Sequence, residues 1–305
     1  MISNSTKDGI EILTTENDQL FCSIAPSLGG KITSLYNKSI DREFLWTNEN
    51  LSLKIHSLGA DYDSNFFGAI DELIPNDIPE TVDSITYPDH GELWTTVLQS
   101  KVEDEKITVF GRLPLSGLFY SKTVYLDSNK PILYLDYKIR NESDVKRNFL
   151  WKLHAALKIK PGDKLETGAK NGKVVDPEYS RFTQFDEFAW PLIENKDASI
   201  IPAKSNTMDF FYLYGMPKGE MQLLSNDEKY LFSYSYDLKV FPYQWYFASY
   251  GGFFDHYTAI LEPCTNMPIS VNDALAKHQS AVLEPGEELT TTVRIYAGEK
   301  TNYIP

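Results

Sequence analysis

His90, His154 and Glu262 are the residues of this chain whose type and setting suit proton transfer. His90 lies in Tyr87-Pro88-Asp89-His90-Gly91-Glu92-Leu93-Trp94, where a proline and a glycine restrict the backbone around an imidazole that a loop would otherwise leave mobile. His154 lies in Phe149-Leu150-Trp151-Lys152-Leu153-His154-Ala155-Ala156-Leu157, a strand-like run in which Lys152 and His154, two positions apart, share one face. Glu262 closes the apolar run Ala259-Ile260-Leu261 and precedes Pro263, which is expected to end ladder pairing there. A carboxylate at such a position needs solvent or a partner. Burial would raise its pKa toward that of a useful base, whereas a cation or hydrogen bonds would lower it.

Each feature also has a plain structural explanation. A lone strand histidine is most often a hydrogen-bonded core residue. Glu-Pro commonly marks a strand leaving a sheet, and Leu283-Glu284-Pro285-Gly286-Glu287 repeats Leu-Glu-Pro as an ordinary turn.

The elements that must position these residues read as short strands and turns almost from end to end. Phe119–Leu126 and Ile132–Ile139 are rich in β-branched and aromatic residues and are separated by Ser128-Asn129-Lys130-Pro131, which predicts a hairpin. A second is expected where Lys106–Phe110 follows Glu103-Asp104-Glu105, and a third where Leu20–Ile24 passes through Leu28-Gly29-Gly30 into Ile32–Tyr36. Strand character returns at Tyr257–Leu261 and Leu289–Tyr296, and no long helical periodicity interrupts it. The expected fold is all-β and antiparallel. With no linker, charge block or repeat, residues 1–305 are expected to form a single domain. Residues 60–94 stand apart, crowded with Asp, Pro and Gly between few strand signals, and so long an irregular stretch is a functional candidate.

A formal net charge of −14, with scattered basic residues, argues against a nucleic-acid partner. No run approaches the ~18 apolar residues of a membrane span, and the start lacks a basic region followed by an apolar one, so no membrane association and a cytoplasmic location are expected. Cys22 and Cys264 lie far apart and in no metal-ligand spacing, which predicts two buried thiols and no metal site.

Taken in order, Asp71-Glu72-Leu73-Ile74-Pro75-Asn76 with Pro88-Asp89-His90-Gly91-Glu92-Leu93-Trp94, then Trp151-Lys152-Leu153-His154, then Leu261-Glu262-Pro263, resemble the motifs of the aldose 1-epimerase (mutarotase) family. Ala281-Val282-Leu283-Glu284-Pro285-Gly286-Glu287 resembles that family's closing turn. The resemblance spans nearly the whole chain. It implies a large galactose mutarotase-like β-sandwich and an isomerase that interconverts the anomers of a monosaccharide without cofactor or metal, as a monomer or homodimer. Carried over by position, it makes Glu262 the base at the sugar's C1 hydroxyl, His154 the acid at the ring oxygen, and His90 a substrate-holding residue. A histidine with a pKa near ~6.5 could donate near neutrality without a large shift.

Departures bear on the substrate. Asp89-His90 and Lys152-Leu153-His154-Ala155 replace the Asn-rich contexts of galactose enzymes. His90-Gly91 continues to Glu92 rather than to the arginine of hexose-6-phosphate epimerases, which disfavours a phosphorylated sugar, although Arg42, Arg112 and Arg181 are available to enter the site. Asp71 as hydroxyl acceptor, Lys152 as donor beside His154 and Trp245 as stacking ring complete the binding candidates. Two rivals remain: a silent sugar-binding or regulatory protein on the same fold, and a glycosidase or lyase pairing Glu262 with Asp71, Glu72 or Asp89.

Overall fold

Alternation of apolar and polar residues builds most of the strands. In Leu118–Leu126 every second residue from Leu118 to Val124 is buried, and in Ile132–Asn141 a similar alternation holds, so each strand turns one face to the core and one to water. The computed structural model of the protein describes residues 1–304. All strand pairings are antiparallel, and the three hairpins expected from sequence form as read. Val271–Ala276 is the one α-helix among the described residues. None is long and apolar enough to cross a membrane.

Two large sheets carry the architecture. The twelve-stranded sheet has at its centre the strands Ile70–Leu73, Lys152–Lys158, Tyr257–Cys264 and Tyr243–Tyr250, side by side in that order. The eight-stranded sheet is centred on Glu288–Glu299, Ile132–Asn141 and Leu118–Leu126. A continuous apolar core joins them, with Leu35, Leu153 and Leu261 from the first sheet and Leu133, Ile139 and Val293 from the second. Full burial of each such side chain contributes about 1.5–3 kcal/mol. Both cysteines are buried free thiols.

The central strands differ from the amphipathic ones. Lys152–Lys158 is buried at every position but the last, because one face meets the second sheet while the other lies beneath loops. Polar residues therefore stand on the inner side of a covered surface. Register places them in one line: Asp71 pairs with His154, and Trp245 with Glu262. The ladder between the His154 and Glu262 strands runs Lys152 to Cys264 and Ala155 to Leu261, which sets His154 across from Glu262. Asp71, His154, Glu262 and Trp245 thus form a row across four adjacent strands, all on one face.

Pro263 does not end its strand. It pairs with Gln244, and the strand continues to Cys264. The missing N–H instead interrupts the ladder on the other side, between the Cys264 and Leu261 pairings, leaving a gap beside Glu262.

Candidate active site

Above the row lies a cavity of about 300 Å³, lined by side chains from distant parts of the chain. His154 and Glu262 face it from adjacent strands, with Lys152 beside them. The irregular stretch 60–94 supplies the roof and one wall through Tyr62, Asp63, Phe66, Asp77, Asp89 and His90. Tyr179, Phe210, Phe247 and Phe253 make an aromatic wall opposite.

Local backbone chemistry sets His90. Its φ is 56°, and its N–H donates to the Asp77 carbonyl at 2.7 Å. Gly91 follows at φ 74°, so close to Ile74 that a Cβ would lie 2.2 Å from the Ile74 oxygen; only glycine fits. Glu92, fully buried, then accepts from the Leu115 and Ser116 N–H groups at 2.6 and 3.0 Å and fastens the loop to the body. The Glu92 that replaces the arginine of the phosphate-sugar motif is therefore an anchor.

The charges are closely coupled. Lys152 Nζ stands 2.6 Å from Asp77 Oδ1 and 2.6 Å from Glu262 Oε2. One ammonium thus serves two buried carboxylates as their ion-pair partner. Burial depresses the Lys152 ammonium, and the charges of Asp77 and Glu262 outweigh it, so its pKa rises. Burial also raises the Glu262 carboxyl, with Lys152 opposing. Burial, then Lys152 and His90, hold His154 well below the ordinary histidine range, and the imidazole is neutral at pH 7. His90 has the opposite balance: burial lowers it, but its 2.9 Å hydrogen bond to Asp89 and the charge of Asp77 prevail and raise it.

Tyr62 links the parts. Its hydroxyl donates to Asp71 Oδ2 at 3.2 Å and lies 3.5 Å from His154 Nδ1.

The sequence matches no established family profile, and no curated protein matches it either. Solved structures do. A galactose mutarotase-like protein from Clostridium acetobutylicum superposes with a TM-score of 0.73 at 14% identity, covering 98% of each chain. A galactose mutarotase-like protein from Lactobacillus casei gives 0.67 at 15%, over 94% of this chain and 99% of that one. A galactose mutarotase related enzyme from Lactobacillus acidophilus gives 0.68 at 14%, over 96% and 99%. The chain has the galactose mutarotase-like fold.

On this mutarotase-like scaffold the expected residues divide. His90, Lys152, His154 and Glu262 come together on the cavity wall. Asp71 and Trp245 occupy the same row but are covered. The Asp71 carboxylate is taken by Lys31 Nζ at 2.5 Å and roofed by Tyr62. Trp245 is fully buried, with Lys152 Nζ 4.6 Å from its ring centroid and its indole N–H donating to the Asn266 carbonyl at 2.8 Å, so it offers no stacking face to a ligand. The titration expected of His154 is also corrected, since burial removes it from the neutral range. None of the three arginines lines the cavity. Arg42 lies over Phe44 and Tyr230, Arg181 pairs with Asp209 at 2.8 Å, and Arg112 borders a separate hollow. Sequence reasoning missed Tyr62, Asp77 and the aromatic wall. A lysine placed on the covered row required buried counter-charges, which was a signal for Asp77.

Proposed function

We propose that this protein interconverts the α and β anomers of a free aldose by acid/base ring opening and closure. The observation that carries the reading is the opposition of a neutral imidazole, His154, and a carboxylate of raised pKa, Glu262, on adjacent strands of one cavity. Glu262 takes the proton of the C1 hydroxyl, and the O–H electron pair becomes the second C1–O bond. The bond from C1 to the ring oxygen breaks, its pair stays on that oxygen, and the oxygen takes a proton from the minor imidazolium form of His154, which is left as the neutral imidazole. Rotation about the bond between C1 and C2 and the reverse transfers close the ring as the other anomer.

His154 suits the donor side because its imidazolium is disfavoured and therefore a strong acid, and because a neutral imidazole also serves as an electrophile toward oxygen. Asp89 favours the protonated form of His90, which would place positive charge beside the developing alkoxide. Neither proton transfer calls for a metal or nucleotide.

Polarimetry of a freshly dissolved pure anomer tests the proposal. Equilibration is expected to accelerate with the protein and to slow by about 10²–10⁴-fold in Glu262→Gln, with sugar binding retained. Equal rates with and without protein across a panel of aldoses would leave a silent sugar binder. Release of reducing ends from oligosaccharides would instead revive glycosidic cleavage.

A further inference from the structure

The charge on the cavity wall narrows the substrate class, an inference that rests on the sugar-binding reading above. Asp63, Asp77, Asp89, Asp176 and Glu262 line the cavity together with Lys152, His90 and His154, and no arginine joins them. The cations are already committed. Lys152 is shared between Asp77 and Glu262, His90 is bonded to Asp89, and His154 is neutral.

Asp63 is left over. It makes no ion pair among the described residues, and burial raises its carboxyl. One oxygen of Asp63 and one of Asp89 lie within 4.8 Å of each other, a spacing that a single ammonium group can bridge. Further along the wall, Asp77 Oδ1 and Glu262 Oε2, on residues only 6% and 1% exposed, share the single ammonium of Lys152. The five carboxylates thus outnumber the three basic side chains on the wall, and the chain's net charge of −14 extends the same field outward.

We infer that the cavity accepts an aldose bearing a protonated amine, with the ammonium between Asp63 and Asp89 and C1 over His154 and Glu262, and that it rejects aldoses bearing phosphate or carboxylate.

Calorimetric titration of the whole chain at low ionic strength with D-glucosamine, D-glucose and D-glucose 6-phosphate tests this. The amine is expected to bind about tenfold more tightly than glucose and the phosphate at least about tenfold more weakly, the amine's advantage shrinking with salt. Asp63→Asn is expected to bring the glucosamine-to-glucose affinity ratio toward one. Equal affinities, tighter binding of the phosphate, or a ratio unchanged in Asp63→Asn would overturn the inference. Polarimetry with glucose separates the two failures. Acceleration of glucose without amine preference leaves the epimerase reading standing alone, and amine-selective binding without acceleration of any aldose does the reverse.

Discussion

Tyr62 lies flat on His90, ring centroids 4.0 Å apart and planes 11° from parallel, while its hydroxyl reaches back to Asp71 and His154. One side chain from the irregular stretch thereby orients both imidazoles.

Removing that hydroxyl leaves the stack intact. Tyr62→Phe is expected to slow anomer equilibration by about tenfold, the cost of roughly one buried hydrogen bond, with little change in sugar affinity. Polarimetric rates at saturating sugar check this; an unchanged rate would show that the contact with His154 is only structural.

Lys152 holds two buried carboxylates apart. Lys152→Met leaves Asp77 and Glu262 facing each other without a cation, and a loss of about 3–5 kcal/mol in stability is expected. Urea melts measure it. The Asp77→Asn/Lys152→Met double variant should recover part of the loss, since one of the two stranded charges is gone.

The rate should depend on pH from both sides. Glu262 must be deprotonated to act, and burial raises its pKa, so activity should fall on acidification at a higher pH than an ordinary glutamate would give. Asp89 and Asp77 raise the pKa of His90, so activity should also fall as pH rises through that raised value. Loss of the alkaline limb in His90→Gln is the check; a limb that persists there belongs to another group.

Stability has its own pH signature at His154. The unfolded chain binds a proton at this residue below about 6.5 and the folded chain does not until well below that. The unfolded state therefore holds more protons in this window, and stability drops as pH falls through it. In His154→Gln that part of the acid sensitivity should disappear from denaturation midpoints measured between neutrality and mild acid.

Much of this was legible in the sequence, for identifiable reasons. Alternation in Leu118–Leu126 reports directly which face meets the core, so the antiparallel architecture follows from residue types. The motifs around His90, His154 and Glu262 carry their own local constraints. Period two fixed the face of Trp245 but not what covers that face, and a lysine contributed from another strand proved to be the cover. Asp71 failed as a cavity residue similarly, because Lys31 lies forty positions away with nothing local to announce the pairing. Tyr179, Phe210, Phe247 and Phe253 meet only through the tertiary fold, and singly each reads as core.

Asp71 and Glu72 are consecutive yet look in opposite directions. The first meets Lys31 and Tyr62; the second is taken up by Lys122, at 2.7 and 2.9 Å, and by the Tyr137 hydroxyl of the other sheet. A carboxylate leaves water at heavy cost unless its partners are waiting. The short strand that bears both can therefore settle only once each layer has arrived, which couples the docking of the two layers cooperatively through a single peptide unit.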